Sequence, residues 1–244
     1  MSKRISMPGF IKPQLATLKS KAPKGDQWLH EIKYDGYRVQ LHLNRGRKKV
    51  FTRNGLDWTK RFTEIAGALA IPGEAIIDGE VVVTHEGRTN FSGLQAELAA
   101  GRQGRLVYYA FDLLWRNGDL RKLPQIERKQ LLLDLVGEND IELPVLYSEH
   151  LTGDGQKMFE HAAKLNWEGI ISKRADAPYK SERRSMGEGQ DRPAREVSCR
   201  RIYQRSKRCS CALPRQEGRQ GLGLYGQGRH RMVSHGIKPD QEAA

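Results

Sequence analysis

The order of apolar and polar positions divides the chain into elements before any chemistry is considered. Val39-Gln40-Leu41-His42-Leu43 alternates with period two, and with the turn at Gly46 it predicts a hairpin across 28–51. Trp58, Phe62, Ile65, Ala66 and Leu69 recur at threes and fours, the spacing of an amphipathic helix over 58–70. Residues 76–83, Ile-Ile-Asp-Gly-Glu-Val-Val-Val, predict a β-branched strand interrupted by three residues that strand propensity does not select. Further helices are predicted over 91–100, 126–136 and 155–165, and further strands over 106–114, 145–148 and 169–173. Strands and helices mix without a strict βαβ rhythm. That predicts an α+β fold of mainly antiparallel sheets flanked by helices.

The pattern has two seams. Residues 1–27, with Pro8, Pro13 and Pro23, read as an extended lead-in to a domain over 28–185. After about residue 185 the apolar period is lost. Residues 181–244 hold 12 Arg and 2 Lys, whereas residues 1–180 hold 13 Arg and 15 Lys. A segment so poor in apolar side chains cannot offset its ordering entropy by burial, so 186–244 is expected to be a disordered basic tail.

Charge and cysteine content narrow the function. The 244 residues carry 42 Lys+Arg against 29 Asp+Glu, a formal charge of +13, which favours a polyanionic partner, nucleic acid before membrane. No run approaches the length of a membrane span, and the first residues show the basic start but not the apolar stretch of a secretory signal; cytoplasmic residence is the expectation. The three cysteines, Cys199, Cys209 and Cys211, fall late and in odd number, which speaks against a disulfide scaffold and makes a poor zinc set.

The chemistry-bearing string is Glu31-Ile32-Lys33-Tyr34-Asp35-Gly36-Tyr37-Arg38. A lysine held before an Asp-Gly turn, desolvated and crowded by other cations, has its amine freed as a nucleophile. Alone, the string is short and reads first as a strand-to-turn lysine with an ordinary surface role. Its companions decide the matter: Arg53-Asn54-Gly55, Asp78-Gly79-Glu80, Phe111-Asp112-Leu113-Leu114 and Glu168-Gly169-Ile170-Ile171-Ser172-Lys173. In order and spacing this set resembles the nucleotidyltransferase motifs of ATP-dependent DNA ligases. Pro8-Gly9-Phe10-Ile11, Trp28-Leu29-His30-Glu31 and Thr52–Trp58 look most like the ligase module of bacterial DNA ligase D. The resemblance spans residues 8 to about 185.

The resemblance implies a nucleotidyltransferase (ATP-grasp-like) domain and a role for each matching position. Lys33 would be the catalytic nucleophile that attacks the α-phosphorus of ATP and carries AMP. Glu31 would read the adenine edge and Phe111 would stack on the purine. Arg38 and Arg53 would hold phosphate and ribose, and Lys173 the α-phosphate. Glu80 and Glu168 would sit near the ribose and hold magnesium (or manganese), a hard cation that favours carboxylate oxygen. Asp112 reads as structural and His30 as incidental. The implied partners are nicked or broken double-stranded DNA and end-joining proteins, for a monomer near the nucleoid. The alternatives are a non-catalytic nucleotide- or DNA-binding remnant and a related RNA ligase or capping-type enzyme.

The match breaks where the family continues with a Trp-x-Lys-x-Lys strand and an oligonucleotide-binding barrel. Here the chain reads Met186-Gly187-Glu188-Gly189-Gln190-Asp191. Codons for those six residues, read one nucleotide forward, permit Trp-Val-Lys-Val-Lys. The expectation is therefore an out-of-frame tail over 186–244 and an impaired, truncated enzyme.

Overall fold

The computed structural model describes residues 6–181 and 196–200, all within one compact unit, Met1–Tyr203. Eleven strands among the described residues form two sheets and a short side ladder, so the α+β, mainly antiparallel expectation holds. Strand β1 is Thr17–Leu18, β2 Lys24–Ile32, β3 Tyr37–Asn44 and β4 Arg47–Thr52. Helix α1 is Thr63–Ala68, β5 Glu74–His85, β6 Arg88–Thr89, α2 Phe91–Ala99, β7 Leu106–Arg116 and α3 Gln125–Glu138. The chain continues through β8 Val145–Tyr147, β9 Leu151–Asp154, α4 Gly155–Lys164, β10 Gly169–Arg174 and β11 Glu196–Arg200.

One sheet runs β4-β3-β5-β7-β8 with β6 on β5, and the other runs β1-β11-β10-β2-β9. Among the described residues only β7–β8 and β1–β11 pair in parallel. Helices α1, α2 and α3 cover one face of the first sheet, burying Phe62, Ile65, Leu94, Leu132 and Leu135 against Leu41, Ile77, Val81 and Leu113. Helix α4 covers the second sheet, packing Ala162, Met158 and Phe159 against Ile170 and Cys199.

Some predicted bounds shift. The hairpin is β3–β4 alone, turning through Arg45 and Gly46, while residues 28–32 belong to β2 in the other sheet. The helix predicted over 58–70 shortens to α1 after a single 3₁₀ turn, Thr59–Arg61, because the backbone leaves the helical region at Phe62 (φ −130°, ψ 41°) and separates the two. Strand β2 starts at Lys24, so the boundary at 27/28 falls inside a strand, and the lead-in buries Ile11 and Ala22. Within the segment 186–244, for which a disordered tail is the expectation, Glu196–Arg200 form a strand on β10, and only these five residues of it are described. The strand forms because the edge of β10 offers unpaired backbone groups, and Cys199 gives the segment an apolar position for the α4 side. Residues 182–195 and 201–244, with Cys209 and Cys211, lie outside the described residues.

Two tight contacts fix the first sheet. Gly79 of β5 lies under the Tyr108 ring, where a Cβ would come within 2.4 Å of Tyr108 Cζ and 2.5 Å of the Tyr109 carbonyl. Tyr108 donates its hydroxyl to the Ile77 carbonyl at 3.0 Å. In α3, fully buried Arg128 donates from Nε and Nη2 to Asp112 at 2.8 and 3.0 Å and from Nη1 to the Leu123 carbonyl.

Gly79→Ala should destabilise the fold by about 1–3 kcal/mol or more, because neither the ring nor the neighbouring backbone can withdraw; thermal melting that matches the parent would contradict this packing. Arg128→Met should cost about 3–5 kcal/mol by stranding the Asp112 carboxylate. Arg128→Met with Asp112→Leu should recover most of it, as chemical denaturation of the three proteins will show.

Candidate active site

The two sheets face each other across a cavity of about 820 Å³, within the range of small-molecule sites. Strand alternation selects its lining. On β5, Ile77, Val81 and Val83 point into the helical core, so Asp78 and Glu80 turn to the opposite face. This explains the three residues that interrupt the strand: Gly79 admits Tyr108 on the core side, and its two acidic neighbours serve the cavity side. On the other sheet, Glu31 of β2, Ile171 and Lys173 of β10, and Glu196 and Ser198 of β11 share the cavity face.

Lys33 follows β2, its amide donating to the Gly169 carbonyl at 3.0 Å. Its side chain is 14% exposed, and Nζ donates to Glu168 Oε2. The nearest charged neighbour of the amine is therefore a carboxylate, not the crowd of cations expected from the sequence. The Asp35-Gly36 turn lies on β5, with no room for a Cβ at Gly36 because the Val81 carbonyl stands 2.1 Å from its position. That close approach ties the turn after Lys33 to the strand carrying Glu80.

Glu31 is buried and accepts from Lys129 Nζ and Lys173 Nζ, both at 2.8 Å. Burial alone would raise its carboxyl, but the two ammonium groups outweigh burial and hold it below the usual carboxylate range. Its carboxylate is engaged by these lysines rather than presented freely to a base edge. Lys173 is itself buried, and Nζ stands 4.4 Å from the Phe111 ring centroid.

Arg38 directs its guanidinium to Asp78, Nε to Oδ1 at 3.2 Å and Nη2 to Oδ2 at 2.8 Å, while Nη1 donates to the Gln14 carbonyl at 2.8 Å. Three of its five N–H groups are thus committed inside the protein. Tyr179 adds a hydrogen bond to Asp78 Oδ2. Arg53 is exposed at the cavity mouth, held by its amide on the Arg38 carbonyl.

Glu80 is half-buried, and burial pushes its carboxyl up to about 8. Arg38 and Lys33 oppose that rise, and Asp78 and Glu168 add to it. A cation between Glu80 and Glu168 would relieve this repulsion, so the two carboxylates fit the hard-cation role. Among the described residues no cluster of three or more His, Cys, Asp or Glu forms a metal site by itself.

The structure thus brings Glu31, Lys33, Arg38, Arg53, Glu80, Phe111, Glu168 and Lys173 to one cavity. Asp112 holds Arg128 away from it, and His30 bonds to Ser172 through Nδ1. The sequence reading missed Asp78, Lys129, Gln14 and Glu196. Alternation signalled Asp78, two residues from Glu80 on the same strand face. Lys129 was signalled by a charged pair inside the buried stripe of α3, Gln125, Arg128, Lys129, Leu132 and Leu135.

No helix among the described residues is long and apolar enough to cross a membrane. The chain matches the ATP dependent DNA ligase domain family over residues 13–187. It is 39% identical over 184 residues to the multifunctional non-homologous end joining protein LigD of Pseudomonas aeruginosa, a match covering 74% of this chain and 22% of that protein. It is 30% identical over 182 residues to the SPbeta prophage-derived DNA ligase-like protein LigB of Bacillus subtilis, covering 72% of this chain and 65% of that one. The crystal structure of the ligase domain of LigD from M. tuberculosis superimposes with a TM-score of 0.64 at 31% identity, over 76% of this chain and 59% of that one. A mycobacterial DNA ligase D complexed with ATP gives 0.63 at 31% identity, over 77% and 59%. The chain therefore spans less than a quarter of the LigD protein of P. aeruginosa. The motif set, the paired sheets around one polar cavity and these likenesses agree: the chain belongs to the ATP-dependent DNA ligase family.

Proposed function

We propose that this domain transfers the adenylyl group of ATP to Lys33, as the first step of sealing nicked or broken duplex DNA in end joining. The observation that carries the reading is the Lys33 amine, bonded to Glu168, on the wall of a cavity that also holds Glu31, Lys173, Phe111 and Glu80. The amine gives its proton to a base, for which Glu168 is the acceptor already in hydrogen-bond contact. Its lone pair then forms the P–N bond to the α-phosphorus, the bond to the bridging oxygen breaks, and pyrophosphate leaves with that electron pair. Lys173 neutralises charge on the α-phosphate. Phe111 offers a ring to the purine, and Arg53 lies at the mouth within reach of phosphate or ribose.

Magnesium or manganese, when bound, would neutralise phosphate charge, and Glu80 and Glu168 are the carboxylates to hold it. Arg38 acts by orienting Asp78 and the β3–β5 pair more than by gripping phosphate, since most of its donors are committed. A strand does follow β10, but it turns Glu196 and Ser198 to the cavity instead of lysines. Losing one preorganised charge contact costs about 3–4 kcal/mol of transition-state stabilisation, so self-adenylation is expected to be slow and nick sealing undetectable.

Incubation with radiolabelled ATP and magnesium should label the chain covalently, and Lys33→Ala should abolish the label with little change in melting temperature. A Lys33→Ala protein labelled to the parent yield would identify another nucleophile.

Glu80 supplies a second test, through pH. Its folded carboxyl is raised above the unfolded value of 4.5 to about 8, so the folded state binds more protons between the two. The Glu80 contribution is fully present below about 4.5 and is lost as pH rises through 8. In chelator, Glu80→Gln should therefore stabilise the protein at pH 9 relative to the parent and gain little at pH 4. An equal gain at both pH values would refute the burial argument.

A further inference from the structure

Strand β11 brings a carboxylate to the cavity that no motif anticipates. Glu196 is directly opposite Lys173 in the antiparallel ladder of β10 and β11, and is 8% exposed. Directly opposed residues in such a ladder have Cβ atoms about 4.5–5.5 Å apart. Glu196 Oε2 accepts from Gln14 Nε2 at 3.2 Å, a neutral amide from the segment before β1. Of the other carboxylates in contact with the cations here, buried Glu31 is bonded to two ammonium groups, buried Asp78 to the Arg38 guanidinium, and Glu168 to Lys33. Glu196 is different: its hydrogen-bond partner brings no charge, so its field acts on Lys173 and Arg38 through space.

We propose that Glu196 sets how many phosphate charges the cavity accepts: its carboxylate, fixed by Gln14 beside Lys173 and Arg38, occupies positive potential that a nucleotide's phosphates would otherwise meet. The inference rests on the nucleotide-binding reading above and goes beyond it. Four cationic side chains and five carboxyl groups line the cavity, Glu196 among them, and even with Glu80 pushed up to about 8 the wall offers a polyanion no net positive charge at neutral pH. Lys173 stands between Glu31 and Glu196, and both carboxylates hold its ammonium in the charged form against burial. A phosphate approaching Lys173 thus meets a lysine already flanked by two anions. The penalty grows with each phosphate carried and vanishes for a nucleoside.

The test measures binding of the full chain to adenosine, AMP and α,β-methylene-ATP, whose bridging carbon prevents adenylyl transfer, at one magnesium concentration by calorimetry. Glu196→Gln should tighten α,β-methylene-ATP about tenfold and AMP by less, and leave adenosine unchanged. Glu196→Asp should bind all three like the parent, because it keeps the charge. Gln14→Leu keeps the carboxylate and removes its neutral partner. It should bind α,β-methylene-ATP no more tightly than the parent, and this holds as a check even if the Glu196→Gln protein fails to fold. A gain that is absent, or equal for adenosine and the triphosphate analogue, overturns the inference while leaving the nucleotide-binding reading in place. Failure of parent and variants to bind any of the three overturns that reading and the inference with it.

Discussion

Glu31 is one carboxylate serving two ammonium groups, and the geometry of the cavity depends on it. Lys129 reaches it from α3, Lys173 from β10, and Glu31 itself stands on β2. Lys129 is fully buried and also donates to the Ser148 carbonyl at 2.6 Å. A helix that covers one sheet is thereby pinned to the central strands of the other. A buried ion pair adds little net stability, because desolvation offsets the attraction, but losing one partner strands the rest at high cost. The arrangement therefore acts chiefly on position: α3, β2 and β10 cannot drift apart without leaving a charge unpaired. Lys33, two residues beyond Glu31, inherits that rigidity, and the Gly36 turn passes it on to β5.

The same logic runs along the other polar contacts of the cavity's rear. Asp78 is fully buried and receives Arg38 and Tyr179, so β3, β5 and the segment after β10 meet at one carboxylate. Asp112 receives Arg128, whose Nη1 also reaches the Leu123 carbonyl that precedes α3. Two sheets that face each other with polar surfaces cannot be joined by apolar packing there. They are joined by charge pairs whose partners come from different elements. Apolar packing holds the outer faces, under α1–α3 on one side and α4 on the other, and a smaller cluster of Ile11, Ile76, Leu114, Trp115 and Tyr179 joins the lead-in and the segment after β10 to the first sheet.

Much of this was legible in the sequence because the period of two and the period near 3.6 report burial directly. The strands β5, β7 and β10 and the helices α2, α3 and α4 lie close to where the apolar pattern puts them. The cavity-facing set was legible through short motifs, each on a strand end or a turn. What the sequence concealed is pairing. Nothing local tells that Arg38 is directed to Asp78, forty residues on, so a guanidinium that reads as a phosphate ligand is mostly committed within the protein. Nothing local tells that Lys33 meets Glu168 before any cation. Long-range charge pairs are set by the register of three strands at once, and register is a property of the sheet. The assignment of 28–32 to a hairpin failed for the same reason: alternation identifies a strand but not its neighbour.

The strand Glu196–Arg200 shows how far backbone demand can outweigh side-chain chemistry. The free edge of β10 carries donors and acceptors that need partners, and any extended segment can supply them. Alternation then distributes the side chains without regard to function: Cys199 enters the apolar layer beside Ala162 and Ile170, and Glu196 and Ser198 turn to the cavity. The buried Ser198 hydroxyl has no hydrogen-bond partner among the described residues, as expected where the position suits the pleat better than the chemistry. The Glu196 carboxyl is raised by burial, and the pull of Lys173 and Arg38 does not cancel that rise. A sheet edge thus fixes where a strand lies, and alternation along it decides which two side chains, Glu196 and Ser198, line the cavity. In this chain that places the Glu196 carboxylate directly opposite Lys173 on the neighbouring strand, on the same wall of the cavity.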